Sequence, residues 1–144
     1  MTEGKAGPRR LFTFDDVIKS SGRVVLVVDD SGMMRQTVAD VARGLGFDAV
    51  EAASAEEATA LADFYEPLLI VLDIQMPGAN GLQALAQMRD NPKLRATPVI
   101  MLTVEAFRGS IETAKSLGVQ DYMIKPVAAA DLRERLSQLL GAPQ

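Results

Sequence analysis

Asp29, Asp30, Asp73, Thr103 and Lys125 are the residues whose types and positions can do chemistry together. Each ends or follows an apolar run. Val24-Val25-Leu26-Val27-Val28 leads into Asp29-Asp30, and Leu68-Leu69-Ile70-Val71-Leu72 leads into Asp73. Val99-Ile100-Met101-Leu102 leads into Thr103, and Asp121-Tyr122-Met123-Ile124 leads into Lys125-Pro126. Three clustered carboxylates repel one another and remain ionised only with a cation beside them. With oxygen ligands alone on offer, a hard cation is favoured, and Mg²⁺ is the expected cofactor. A carboxylate can also act as a nucleophile and accept a phosphoryl group. An ammonium and a hydroxyl nearby would bind the remaining phosphoryl oxygens. The set reads as a phosphoryl-accepting site on Asp73.

Composition removes competing chemistries. The chain has no cysteine and no histidine, so disulfides, cysteine nucleophiles, zinc thiolate sites and histidine bases are excluded. A net charge of −4 provides no basic footprint for nucleic acid. No apolar run approaches the roughly 20 residues of a membrane helix. The opening Met1-Thr2-Glu3-Gly4-Lys5 does not read as a signal peptide, because no apolar core follows.

The elements that must position these residues alternate along the chain. Residues 1–22 are expected to form an N-terminal arm, flexible at first, with a short helix near Phe14 capped by Thr13 and favoured by Asp16. Phe12, Phe14 and Ile18 are its candidate docking residues. Residues 23–141 are expected to form one domain. Met34, Val38, Val41 and Leu45 share a helical face, and Gly46 ends it. Asp48 to Ala52 is a weak strand, and Ser54 with Glu57 signals a capping box. Leu82, Leu85 and Met88 mark a helix ended by Asn91-Pro92, Ser110 to Leu117 is helical, and Leu132, Leu136, Leu139 and Leu140 mark the last helix. Strand and helix repeat five times, which predicts an α/β, doubly wound, five-stranded parallel sheet with strand order 2-1-3-4-5. Ligands of such sheets bind at the carboxyl ends of the strands, where all five residues would meet. Taken singly, each acid is more often a turn or helix cap; the joint pattern is not explained that way.

The sequence resembles the response-regulator receiver domain of two-component signalling, the CheY-like fold. The matching segments are Val27-Val28-Asp29-Asp30, Leu72-Asp73-Ile74-Gln75-Met76-Pro77-Gly78, Leu102-Thr103 and Tyr122-Met123-Ile124-Lys125-Pro126. The resemblance implies that Asp73 is the phosphoacceptor and that Asp30, Asp73 and the Gln75 backbone carbonyl bind Mg²⁺, with Asp29 acting through a water. It further implies that Lys125 pairs with Asp73 or its phosphate, that Thr103 and Tyr122 move together as a switch, and that Lys125-Pro126 is cis. Val104 is bulkier than the alanine or glycine usual in the family. Gln75 and Glu105 hold positions that tune dephosphorylation there.

The implied partners are a histidine kinase or histidine phosphotransfer protein, met at the first domain helix, which opens with Met33 and Met34. Targets would use that first helix or, as would a phosphorylation-linked second copy, the face of the fourth domain helix, last strand and last helix, carrying Phe107, Lys115, Tyr122 and Arg133. The protein is otherwise expected to be a monomer in the cytoplasm. The expected function is that of a stand-alone response regulator, not a turnover enzyme, since no output domain follows Gln144. The alternatives are a receiver fragment of a larger regulator or hybrid kinase, an aspartyl-phosphate phosphatase and a flavin binder. The phosphatase would need an aspartate where Gln75 stands. The flavin binder would need Ser, Thr or Gly where Asp29-Asp30 stand.

Overall fold

The structure, a computed structural model, describes residues 13–76, 81–104 and 108–141. Its elements in chain order are α1 (Phe14–Ser20), β1 (Val24–Val28), α2 (Gly32–Gly44), β2 (Asp48–Ala52), α3 (Ala55–Tyr65), β3 (Leu69–Asp73), α4 (Gly81–Asp90), β4 (Val99–Thr103), α5 (Arg108–Ser116), β5 (Asp121–Ile124) and α6 (Ala129–Leu140). The strands form one parallel sheet in the order β2-β1-β3-β4-β5, as expected. Phe12, Glu105 and Phe107 lie outside the described residues.

The apolar runs form strands because helices cover both faces of the sheet, so successive side chains are buried alternately up and down. Val25, Val27, Val71, Ile100 and Leu102 pack with Val38 and Val41 of α2, with Leu45 that caps it, and with Leu132 and Leu136 of α6. Leu26, Val28, Ile70 and Leu72 face the other way, onto the alanines of α3 and onto Leu85 and Met88 of α4. Each such side chain contributes about 1.5–3 kcal/mol when fully buried. β5 is an edge strand with exposed Tyr122 and Ile124 on one face and Met123 packed toward α6 on the other.

Local differences from the expected pattern have physical causes. Leu68 is exposed and precedes β3 rather than starting it. Helix α3 closes on a C-cap, Glu66, that is a non-glycine residue at φ 49°. The Ser54 hydroxyl accepts from Glu57 N–H, but the Glu57 carboxylate accepts from Ala53 N–H, one residue before the cap. Helix α1 carries the reciprocal box in full: Thr13 Oγ1 accepts from Asp16 N–H, and Asp16 Oδ2 accepts from Thr13 N–H. The helix is also tied to α3, where the Tyr65 hydroxyl donates to Asp15 Oδ1 at 2.8 Å and Lys19 Nζ lies 4.7 Å from the Phe64 ring centre. No helix among the described residues is long and apolar enough to cross a membrane.

Candidate functional site

The parallel sheet brings the ends of β1, β3, β4 and β5 to one edge. Asp29 follows β1 and extends its ladder, its N–H donating to the Ala52 carbonyl. Asp73 closes β3 and Thr103 closes β4. Lys125 follows β5 and is registered by a 2.7 Å bond from its N–H to the Thr103 carbonyl. The Lys125–Pro126 bond is cis. Asp29 is 0% exposed and Asp73 1%, whereas Asp30 faces solvent. One carboxylate oxygen from each of the three lies within 4.8 Å of the others.

Lys125 Nζ lies 2.8 Å from Asp29 Oδ2 and 3.4 Å from Asp73 Oδ2. The lysine therefore holds both buried acids, and Asp29 more closely than Asp73. Asp29 Oδ1 accepts from Ser31 N–H at 2.9 Å, while the helix cap proper is the Ser31 hydroxyl, which accepts from Met34 N–H. Asp73 Oδ1 accepts from Gln75 N–H at 3.1 Å.

Among the described residues, three clustered acids share one ammonium, which leaves the pocket short of positive charge. Burial and then the Asp29 carboxylate push Asp73 up to about 6, against the pull of Gln75 N–H and Lys125. Burial opposes the charge on Lys125, but Asp29 and Asp73 more than offset it and its pKa is raised. These oxygen donors fit a small hard cation that keeps several of its waters.

Sequence reasoning missed three supports. Arg35 of α2 donates to the Asp29 carbonyl at 2.8 Å and pairs with Glu51 of β2 at 3.3 Å, fixing the turn that carries the acids. Gly81 starts α4 against the site: a Cβ there would fall 2.5 Å from the Asp73 carbonyl oxygen. The Gln75 side chain crosses to β4, its Oε1 accepting from Val104 N–H at 3.0 Å and from Thr103 Oγ1 at 3.4 Å. No sequence pattern signals the Arg35 or Gln75 contacts, because half of their partners, the Asp29 carbonyl and the Val104 N–H, are main-chain atoms and the others, Glu51 and Thr103, lie far along the chain. The glycine could have been suspected from its place at the close of the loop after Asp73.

Partner-face residues are partly redistributed. Tyr122 is 39% exposed on β5, and Lys115 is exposed on α5. Arg133, expected on the same face, instead reaches Gly44 at the end of α2: a Cβ at Gly44 would lie 3.4 Å from its Nη1. With Leu132 and Leu136 turned onto the sheet, positions 133 and 135 point to opposite sides of α6. Arg135 is the residue beside β5, where it pairs with Asp121. Met33 is 82% exposed. With Met34, Val104, Pro126 and Val127 it lines a groove of about 440 Å³ that reaches Lys125.

The family described as response regulator receiver domain matches residues 25–137. The chain belongs to that family. It is 35% identical over 131 residues to the chemotaxis protein CheY-3 of Vibrio cholerae, covering 86% of this chain and 96% of that protein. It is 32% identical over 111 residues to the transcriptional regulatory protein PdtaR of Mycobacterium tuberculosis, covering 76% of this chain and 53% of that one. Among solved structures, Vibrio cholerae CheY4 superimposes with a TM-score of 0.76 at 29% identity, over 81% of this chain and 98% of that one. Helix α1 precedes the residues the receiver family matches.

Proposed function

We propose that this receiver takes a phosphoryl group on Asp73 from the phosphohistidine of a histidine kinase or histidine phosphotransfer protein, and that the modified form changes which partner it binds. The observation that carries the reading is the buried Asp73 carboxylate beside Asp29, Asp30 and Lys125 at one sheet edge. In the transfer, an Asp73 carboxylate oxygen forms a bond to phosphorus as the phosphorus–nitrogen bond breaks. The imidazole nitrogen keeps the electron pair, and Asp73 becomes an acyl phosphate. Lys125 holds positive charge where phosphoryl oxygens gather, and the Thr103 hydroxyl and Val104 N–H are donors for another of them.

Asp30, Asp73 and the Gln75 backbone carbonyl would hold Mg²⁺, with Asp29 acting through a water. Bound there, Mg²⁺ would neutralise charge on the phosphoryl oxygens. The donor protein would enter over the groove at Met33, Met34 and Val104, next to Lys125. The chain would act once per phosphoryl group rather than as a turnover enzyme, in the cytoplasm.

Incubation with acetyl phosphate or a phosphorylated kinase and Mg²⁺ should add one phosphoryl group, seen by intact-mass analysis and mapped to Asp73. EDTA or Asp73→Ala should abolish it. An unlabelled natural chain with both donors, or full labelling of Asp73→Ala, would sink the reading.

A further inference from the structure

The Gln75 side chain stands where the proposed chemistry needs a vacancy. Its Oε1 accepts from Val104 N–H at 3.0 Å and from Thr103 Oγ1 at 3.4 Å. Its backbone N–H donates to Asp73 Oδ1 at 3.1 Å. One residue thus spans from the nucleophile to the end of β4, and two donors converge on one neutral carbonyl oxygen. A phosphoryl group on Asp73 would present an anionic oxygen to that same pair of donors. The two acceptors compete, because each donor carries one hydrogen.

We propose that Gln75 is an internal latch on the phosphoryl-oxygen subsite: its amide oxygen takes the Thr103 and Val104 donors in the unmodified protein and yields them to the phosphoryl group on Asp73. The proposal rests on Asp73 being the phosphoacceptor. Hydrogen bonds to a charged acceptor are roughly twice as strong as neutral ones, so the phosphoryl oxygen displaces the amide. Gln75 is on the surface, so the released side chain moves into solvent. The latch holds Thr103 and the start of the β4–α5 connection in place before transfer, and it slows transfer from donors that supply no binding energy of their own. The 3.0 Å bond with the long 3.4 Å contact is worth about one modest hydrogen bond, an effect of about three- to tenfold.

The test pairs a rate with a spectrum. Initial labelling by phosphoramidate with Mg²⁺ is followed by intact mass for the natural chain and Gln75→Ala. The Val104 amide proton shift is recorded in both unphosphorylated proteins and in Gln75→Glu, which keeps an acceptor at the same reach. Gln75→Ala should label about three- to tenfold faster. Its Val104 amide should move upfield, and that of Gln75→Glu should stay downfield. A Val104 amide unmoved in Gln75→Ala, or labelling no faster than in the natural chain, overturns the latch. An unlabelled natural chain overturns the phosphoacceptor reading and the latch with it. A labelled chain indifferent to Gln75→Ala overturns the latch alone.

Discussion

Arg89 and Asp73 are both charged groups drawn into the protein, and their surroundings are built on opposite plans. Arg89 of α4 donates through Nε to the Leu117 carbonyl at 2.7 Å, through Nη1 to those of Leu94 and Thr97 at 2.8 and 2.7 Å, and through Nη2 to that of Gly118 at 3.2 Å. Burial pulls its pKa down, yet its donors are matched with neutral acceptors. That cation pins α4 to the α4–β4 connection and to the turn between α5 and β5. Among the described residues, Asp73 has one N–H donor, one shared ammonium and a second buried acid beside it. The cation is satisfied and serves the scaffold. The anion is crowded by like charge, a state that a bound cation would relieve. The contrast teaches that incomplete compensation, rather than burial of charge as such, separates the candidate site from the frame.

The largest break in this comparison comes at the satisfied end. Arg89→Ala leaves the carbonyls of Leu94, Thr97, Leu117 and Gly118 without their donors, some of them shielded from water. It should lower stability by about 3 kcal/mol, read as a lower urea midpoint with an unchanged slope. Under native conditions the folded fraction should still label on Asp73. A loss below about 1 kcal/mol would mean that water replaces the guanidinium freely, and the contrast with Asp73 would collapse.

The opposite sign is expected at the site. The Asp73 pKa is raised to about 6 from an ordinary 3.8, so between those values the folded state holds the proton more tightly than the unfolded chain. The penalty for ionising Asp73 is absent below about pH 4, grows through that window and is complete above about pH 6. Asp73→Asn removes it. In the presence of a chelator the variant should be more stable than the natural chain by about 1–3 kcal/mol at pH 7. The gain should vanish at pH 4, and the variant should not label. Urea midpoints of both proteins at the two pH values decide the matter. An equal gain at both would assign it to packing rather than charge.

This contrast also sorts what the sequence could reveal. The strands were legible because a sheet covered on both faces asks for unbroken apolar runs such as Leu69–Leu72. Alternation with helices then implied the strand order, and the order placed Asp29, Asp73, Thr103 and Lys125 at one edge. The acids stood out only jointly: one carboxylate closing an apolar run reads as a turn or a cap, but capping does not explain three acids, a hydroxyl and a lysine at one sheet edge. The Arg89 clamp was invisible, since its partners are carbonyls, and every residue has one. Arg133 was put on the wrong side of α6 because leucine spacing gives the buried stripe but not which flank meets β5. The Gln75 contact depended on side-chain reach across a loop to a main-chain N–H, which spacing does not encode.

The smallest expected effect lies at the opposite end of the sheet, where α1 meets α3. The Tyr65 hydroxyl donates to Asp15 Oδ1 at 2.8 Å, and burial followed by that carboxylate pushes Tyr65 up to about 12. Asp15 itself is exposed. In Tyr65→Phe the carboxylate rehydrates and only the net value of one hydrogen bond is lost, about 1 kcal/mol or less. Amide exchange should quicken in Val17 to Ser20, while Asp73 labelling keeps its rate. Arg89 and Tyr65 then form a series in which the cost of removing a polar group follows how poorly water can replace its partners, and Asp73, crowded by like charge, stands outside it with the opposite sign. A Tyr65→Phe loss near that of Arg89→Ala would break the series, because it would mean that an anchor at an exposed acid counts as much as a guanidinium matched with main-chain carbonyls.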